Sequence, residues 1–350
     1  MASKGTYIPE LSTWRFVFIM MIFLHHVKLF PSGGAIGVAF FFILGGFTLT
    51  LGYADKVKES SFDYGRYLKR RLIKFYPLHW LVLFLFVPLD LLCGVPVSVK
   101  TFVPNFLLLQ SFIPVKEIFY SFNSPSWYLC NTVFFAVLFP FIYGLLVKLK
   151  RWQWAGVILL YVVLITVQCV TPDEYRLSII YINPFIRLFD FVIGVLMAMI
   201  YKKVVQEDQL IHRFKEHIVL VWVIVALSLT ELLSIPLWAH SLSGKAYLLW
   251  PPIIILIMST TVISITSNNN SILRNKVLVS LGNVSFAFYM IHSLVINIVQ
   301  VLASKVNLEN LWIVISVDLV LTIVGSYMVT YYFVNPTTKW LSSKLIKKTI

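Results

Sequence analysis

The stretch AIGVAFFFILGGFTLTLGY, residues 35–53, holds no charged side chain, and its length decides the fold. At ~1.5 Å of rise per residue, a helix of this size crosses a ~30 Å hydrocarbon core. Comparable runs recur along the whole chain of 350 residues, of which 59% are hydrophobic and only 13% charged. Soluble domains carry about 25% charge, and the mean hydropathy here is +0.85. Working outward from residues 35–53, ten spans are predicted, at about 12–30, 35–53, 75–95, 126–147, 153–170, 184–201, 217–236, 247–266, 284–303 and 311–333. The expected class is therefore all-α: a polytopic membrane protein, with residues 1–350 forming one membrane domain and no separate soluble domain. A shorter apolar piece from Phe102 to Ile113, bracketed by prolines, reads as a re-entrant or interfacial segment, or as an eleventh span.

The net charge of +14 is placed for orientation rather than for nucleic acid, because Lys and Arg sit in the connections between spans. One side collects Lys4, Lys56, Lys58, Arg66, Lys69, Arg70, Arg71, Lys74, Lys148, Lys150, Arg151, Lys202, Lys203, Arg213, Lys215, Arg274, Lys276, Lys339, Lys344, Lys347 and Lys348. The other side holds Lys100, Lys116, Arg176, Lys245 and Lys305. The positive-inside rule puts the richer side, and with it both termini, in the cytoplasm. No Ala-x-Ala signal follows the first apolar run, so that run is expected to stay as a helix. Cys93, Cys130 and Cys169 are isolated and odd in number, which indicates neither a disulfide framework nor a metal site. Asn268-Asn269-Asn270 reads as a short polar turn.

Ionisable groups at membrane depth cost at least ~2.5–3.5 kcal/mol on insertion scales, so they are functional candidates by default. Here they are Arg15, His25, His26, His79, Arg187, Asp190, Glu231, His292 and Asp318. Arg15 and His26 lie eleven residues apart, three turns plus about 20°, on one helix face and roughly 16 Å apart along the axis. His25 points about 80° away from Arg15. Of the two histidines, His26 is therefore the one placed to share a polar channel with Arg15; a plain interhelical hydrogen bond fits its spacing equally well. Arg187 and Asp190 are three apart and suit an ion pair that lowers the cost of burial. Glu231 and Asp318 read either as proton sites or as helix anchors. His79 follows the basic cluster and reads as an interfacial anchor, whereas His292 lies deeper. Arg66, Lys69, Arg70, Arg71 and Lys74 crowd one mouth, fitting orientation charge and anionic lipid or the phosphates of a cytoplasmic cofactor.

Several chemistries are absent from the sequence. No G-x-x-x-x-G-K, G-x-G-x-x-G, G-x-S-x-G or H-E-x-x-H occurs, and no His is followed five residues later by Asp.

In order along the chain, the motifs resemble those of the acyltransferase-3 group of integral membrane acyltransferases, typified by bacterial surface-polysaccharide O-acetyltransferases. Arg15 with His26 is similar to its Arg/Lys-x10-His element, and Gly37 to Phe47 to its G-V-x-x-F-F-x-L-S-G-F stretch. Arg70-Arg71-Leu72-Ile73-Lys74-Phe75-Tyr76-Pro77 resembles R-R-x-x-R-I-Y-P, and Asn123-Ser124-Pro125-Ser126-Trp127-Tyr128-Leu129 resembles N-x-P-S-W-S-L. Arg187-Leu188-Phe189-Asp190-Phe191 with Gly194 resembles R-L-x-E-F-x-x-G. Leu281 to Phe286 with Tyr289 and His292 resembles L-G-x-x-S-Y-x-x-Y-x-x-H. The chain departs from the pattern at Gly45 (usually Ser), at Lys74 (usually Arg), near Thr132 (often Glu) and at Asn335-Pro336 (often Glu-Pro).

The resemblance implies an acetyl group moving from acetyl-CoA, or another acyl-CoA, to a hydroxyl of a cell-surface or lipid-linked glycan in a bacterial inner membrane. It implies His26 as general base or acyl carrier and Arg15 beside the donor or the developing negative charge. Arg70, Arg71 and Lys74 would contact the CoA phosphates. His292, Trp127, Arg187, Asp190 and His25 complete the candidate set. No metal and no permanently bound cofactor is expected, and the expected partners are acyl-CoA, the glycan acceptor and membrane lipid, not nucleic acid. The competing expectation is a transporter or flippase of a glycan or small molecule, which would use ten spans and buried charges equally well.

Overall fold

The computed structural model describes residues 7–204, 208–238, 246–266 and 271–346. Lys4, Lys245, Asn268, Asn269, Asn270, Lys347 and Lys348 lie outside the described residues. Every regular element among the described residues is helical. The helices are α1 (Pro9–His26), α2 (Gly33–Lys58), α3 (Tyr64–Leu92), α4 (Val99–Phe106), α5 (Lys116–Phe119), α6 (Ser126–Leu149), α7 (Gln153–Val170), α8 (Asp173–Tyr175) and α9 (Pro184–Val204). After them come α10 (Asp208–Glu216), α11 (Ile218–Trp238), α12 (Trp250–Thr266), α13 (Lys276–Asn283), α14 (Ser285–Lys305), α15 (Leu311–Met328) and α16 (Asn335–Leu345).

By length and composition, seven of these helices can cross a membrane: Gly33–Lys58, Tyr64–Leu92, Ser126–Leu149, Pro184–Val204, Ile218–Ile235, Ser285–Lys305 and the continuous Leu311–Leu345. An eighth appears if Ile158–Val170 and Asp173–Ile182, bent by 118° at their break, form one span. The sequence predicts ten. The difference lies in three places: the bend after α7, the 17 residues of α12, and the Glu10, Arg15 and histidines that dilute the apolar character of α1. Large apolar side chains stand exposed on these helices, among them Leu159 and Val162 on α7, Val219 and Leu227 on α11, and Trp312 and Val320 on α15. Side chains of this kind suit lipid, which solvates them at no cost. Pro77 and Pro88 inside α3 and Pro140 inside α6 are tolerated in such helices because neighbouring groups satisfy the freed carbonyls. The chain is a multi-pass helical membrane protein. The segment Phe102–Ile113 is no span: α4 ends at Phe106 and a single 3-10 turn, Gln110–Phe112, follows.

Two compact units emerge from the packing. The first comprises residues 1–25, 30–62 and 138–283. Its central contact is α2 on α9, where glycines let the backbones meet. A Cβ on Gly46 would strike the Phe191 carbonyl, and one on Gly194 would strike the Ile43 carbonyl. Gly45, one position before Gly46, faces open space. The N-terminal half of α1 is pinned within this unit. The fully buried Glu10 pairs with Arg274 at 2.6 Å, Thr13 donates to the Leu273 carbonyl at 2.6 Å, and Trp14 donates to Thr260 at 2.8 Å. The second unit comprises residues 26–29, 63–137 and 284–350, with α14 packed on α3 and α15 and α16 packed on α3.

Candidate active site

The second unit holds a histidine pair. His26, the last residue of α1, is half-buried, and its ring stands edge-on to that of His292 with centroids 4.8 Å apart. His292 is fully buried on α14, and its Nδ1 donates to the Tyr289 carbonyl at 2.7 Å. A carbonyl only accepts, so Nδ1 carries a proton toward it. Phe288 stacks on the same imidazole, with centroids 6.3 Å apart and planes 17° apart.

The turn before α6 fixes this end of α14. The Tyr289 hydroxyl donates to the Pro125 carbonyl at 2.8 Å, and the Asn123 side-chain amide donates to the Met290 carbonyl at 3.0 Å. Tyr128 meets the Tyr289 ring edge-on at 5.0 Å. Trp127 is buried, and its carbonyl accepts from Ser111 at 2.8 Å. The Asn-x-Pro-Ser-Trp stretch and the Tyr-x-x-His stretch, 167 residues apart at their Asn123–Met290 bond, therefore brace one another beside the histidine pair. Sequence reading singled out Trp127 there but passed over Asn123 and Tyr289. Their signal was their place inside the quoted motifs.

His25 and His26 separate cleanly. His25 belongs to the first unit, where its Nδ1 donates to the Pro31 carbonyl at 2.5 Å and its ring lies against Gly34. Arg15, half-buried on α1, also belongs to the first unit. So do Arg187 and Asp190, which pair at 2.7 Å with both side chains 2% exposed. The Asp190 carboxylate also accepts from the Trp250 indole at 2.5 Å, and the Arg187 guanidinium lies over the Phe42 ring at 5.1 Å. That set is the charge-compensating pair expected from spacing, although the buried Arg187 Nε makes no hydrogen bond among the described residues.

Arg70 and Lys74 are exposed and Arg71 half-buried on the first turns of α3. Arg71 lies over the Tyr67 ring at 5.8 Å, and the Tyr67 hydroxyl is tied to the Ala136 carbonyl at 2.7 Å. Lys74 lies over Phe75 at 5.4 Å. The i, i+3 and i+4 spacings put these cations on neighbouring positions of one helix surface. His79 is 1% exposed, its Nε2 donating to the Asn105 carbonyl at 2.7 Å. Glu231 is exposed, and Asp318 is buried.

The second unit thus sets the half-buried His26, at the end of α1, against the fully buried His292 and carries the basic start of α3. The sequence profile of the acyltransferase domain family, acyltransferase-3, matches residues 8–331, which include parts of both units. The chain belongs to that family and is a membrane acyltransferase. An acyltransferase named MdmB from Streptomyces mycarofaciens is 30% identical over 285 residues, covering 75% of this chain and 68% of the relative. No solved structure matches the chain.

Proposed function

We propose that this acyltransferase carries an acetyl group from acetyl-CoA to a hydroxyl of a cell-surface or lipid-linked glycan, with His26 as general base. The observation that carries this reading is the edge-to-face pair of His26 and the fully buried His292 at 4.8 Å. In the reaction His26 takes the acceptor hydroxyl proton as its oxygen attacks the thioester carbonyl. The new C–O bond forms, the C–S bond breaks, and the CoA sulfur leaves with the proton that the imidazolium returns. His292, held by the Tyr289 carbonyl, sets the ring against which His26 is oriented.

The basic start of α3 supports the donor assignment. Arg70 and Arg71 offer planar forks and Lys74 a point charge, a set suited to the phosphates of a coenzyme. Roughly 16 Å of helix separates Arg15 from His26. Arg15 is therefore assigned to the length of the donor rather than to the carbonyl at His26. In this reading the protein works in a bacterial inner membrane, and acetyl-CoA arrives from the cytoplasm.

The test is transfer from radiolabelled acetyl-CoA in isolated membranes. His26→Ala should lower transfer by at least about 100-fold, the usual contribution of a positioned base. Undiminished transfer by that variant would remove the assignment. Mass spectrometry of surface glycans from cells with and without the protein should differ by one acetyl unit. A wild type that moves glycolipid across vesicles without consuming acetyl-CoA would favour a flippase instead.

A further inference from the structure

A second polar cluster lies in the same unit, and it shares with the histidine pair the turn before α6. Its hub is Ser126. The Ser126 backbone amide donates to the Asn123 carbonyl at 2.8 Å, and its hydroxyl donates to the Asn105 side-chain oxygen at 3.5 Å. With that proton spent, Ser126 Oγ accepts from the Gln110 side-chain amide at 3.1 Å. Asn105 is itself oriented, because its amide donates to two backbone carbonyls and to Ser121. Its own carbonyl takes the His79 Nε2 proton.

The bonds made decide what is left over. Asn123 spends its amide on the Met290 carbonyl, so its Oδ1 is an acceptor. Gln110 spends its amide on Ser126, so its Oε1 is an acceptor. His79 carries its proton on Nε2, so Nδ1 of the neutral ring is an acceptor as well. Gln110 is 0% exposed, and His79 and Asn123 are each 1% exposed. None of these three atoms has a hydrogen-bond partner among the described residues. Native proteins rarely leave buried polar atoms unpaired. Three acceptors on one bonded chain, with no donor among them, match a ligand that brings several hydroxyl hydrogens. A thioester carbonyl, which only accepts, does not fit.

We propose that His79, Gln110 and Asn123 form a subsite that accepts hydrogen bonds from the non-reacting hydroxyls of a polyhydroxylated acyl acceptor, and so select it over simple alcohols. The proposal rests on the hydroxyl-acceptor reading above and adds the residues that choose the acceptor. These are specificity residues, and the bond-making histidine pair is separate from them. A site built to pair with hydroxyls discriminates strongly against analogues that lack them, because its own buried groups are then stranded.

The experiment uses the purified full-length protein in lauryldimethylamine oxide, a detergent without sugar. Acetyl-CoA is the donor, and hexyl β-glucoside, hexanol and water compete as acceptors. Wild type should favour hexyl β-glucoside over hexanol by about tenfold or more. His79→Gln keeps a donor toward the Asn105 carbonyl and removes the δ acceptor. Gln110→Met keeps the shape and removes the other. Each should cut the glucoside-to-hexanol ratio about tenfold while leaving acetylation of hexanol and release of CoA to water in place. An unchanged ratio, or an equal fall toward all three acceptors, overturns the subsite. CoA release by wild type without preference for the glucoside also overturns it, with acyl transfer intact. Absence of any CoA release from wild type removes acyl transfer itself and the subsite with it.

Discussion

His25 and His26 show how little a residue's identity says without its surroundings. They are chemically the same and adjacent, yet one closes a turn on the Pro31 carbonyl and the other faces His292. His25→Ala should therefore keep most of the transfer activity and cost about 1 kcal/mol of stability, read as a lowered Tm in detergent. His292→Asn tests the partner. Asn preserves a donor at the δ position for the Tyr289 carbonyl but has no basic nitrogen. It should fold like wild type and lose at least about tenfold in transfer. Helix phase put His26, and not His25, on the face of Arg15, since a single axis relates them both to it. Phase said nothing of the partner 266 positions later, which only packing supplies. Residue 132, where the family often has Glu, holds Thr here, and its hydroxyl donates to the Tyr128 carbonyl one turn back at 2.9 Å. No carboxylate is offered at that position.

Among the elements, the α2–α9 contact is the most exacting. Gly46 and Gly194 each place a bare Cα against the opposite backbone, so Gly194→Ala forces two helices apart. The expected loss is about 1–3 kcal/mol or more, measured as a drop in Tm. Gly45→Ser, which restores the residue usual in the family, meets nothing within 4 Å and should leave Tm unchanged. Sequence displayed both glycines inside motifs without revealing which one was constrained, because a Cβ clash is a property of two elements. The segment Phe102–Ile113 was harder still. Its prolines and apolar letters suggested an interfacial piece, but its polar residues Asn105 and Gln110 are the ones buried deepest. Tyr289→Phe belongs to this scale too. It strips the Pro125 carbonyl of its donor and should cost about 1–3 kcal/mol while lowering turnover through a loosened α14.

At the scale of the molecule, composition alone announced a helical membrane protein, since apolar length is written directly in the chain. The number of crossings was less legible: α12 is 17 residues long, α7 is followed by a 118° bend, and α1 carries its own charges. The charge bias still makes a sharp prediction about sidedness. With the exposed Cys93 and Cys169 replaced by Ala, Lys100→Cys should react with an impermeant maleimide on intact cells, and Lys58→Cys should react only after lysis. Labelling in the opposite order would invert the topology. The unbroken run from Leu311 to Leu345 adds a last consequence. Its 35 residues span about 52 Å at ~1.5 Å each, roughly 20 Å more than the hydrocarbon can hold. The polar end, α16, is the part that must overshoot. The exposed Tyr331 and Tyr332 then mark the headgroup plane, as aromatic rings do. Beyond that plane Lys339 and Lys344 stand on a helix packed against α3, extending the positive field of Arg70, Arg71 and Lys74 out past the lipid surface.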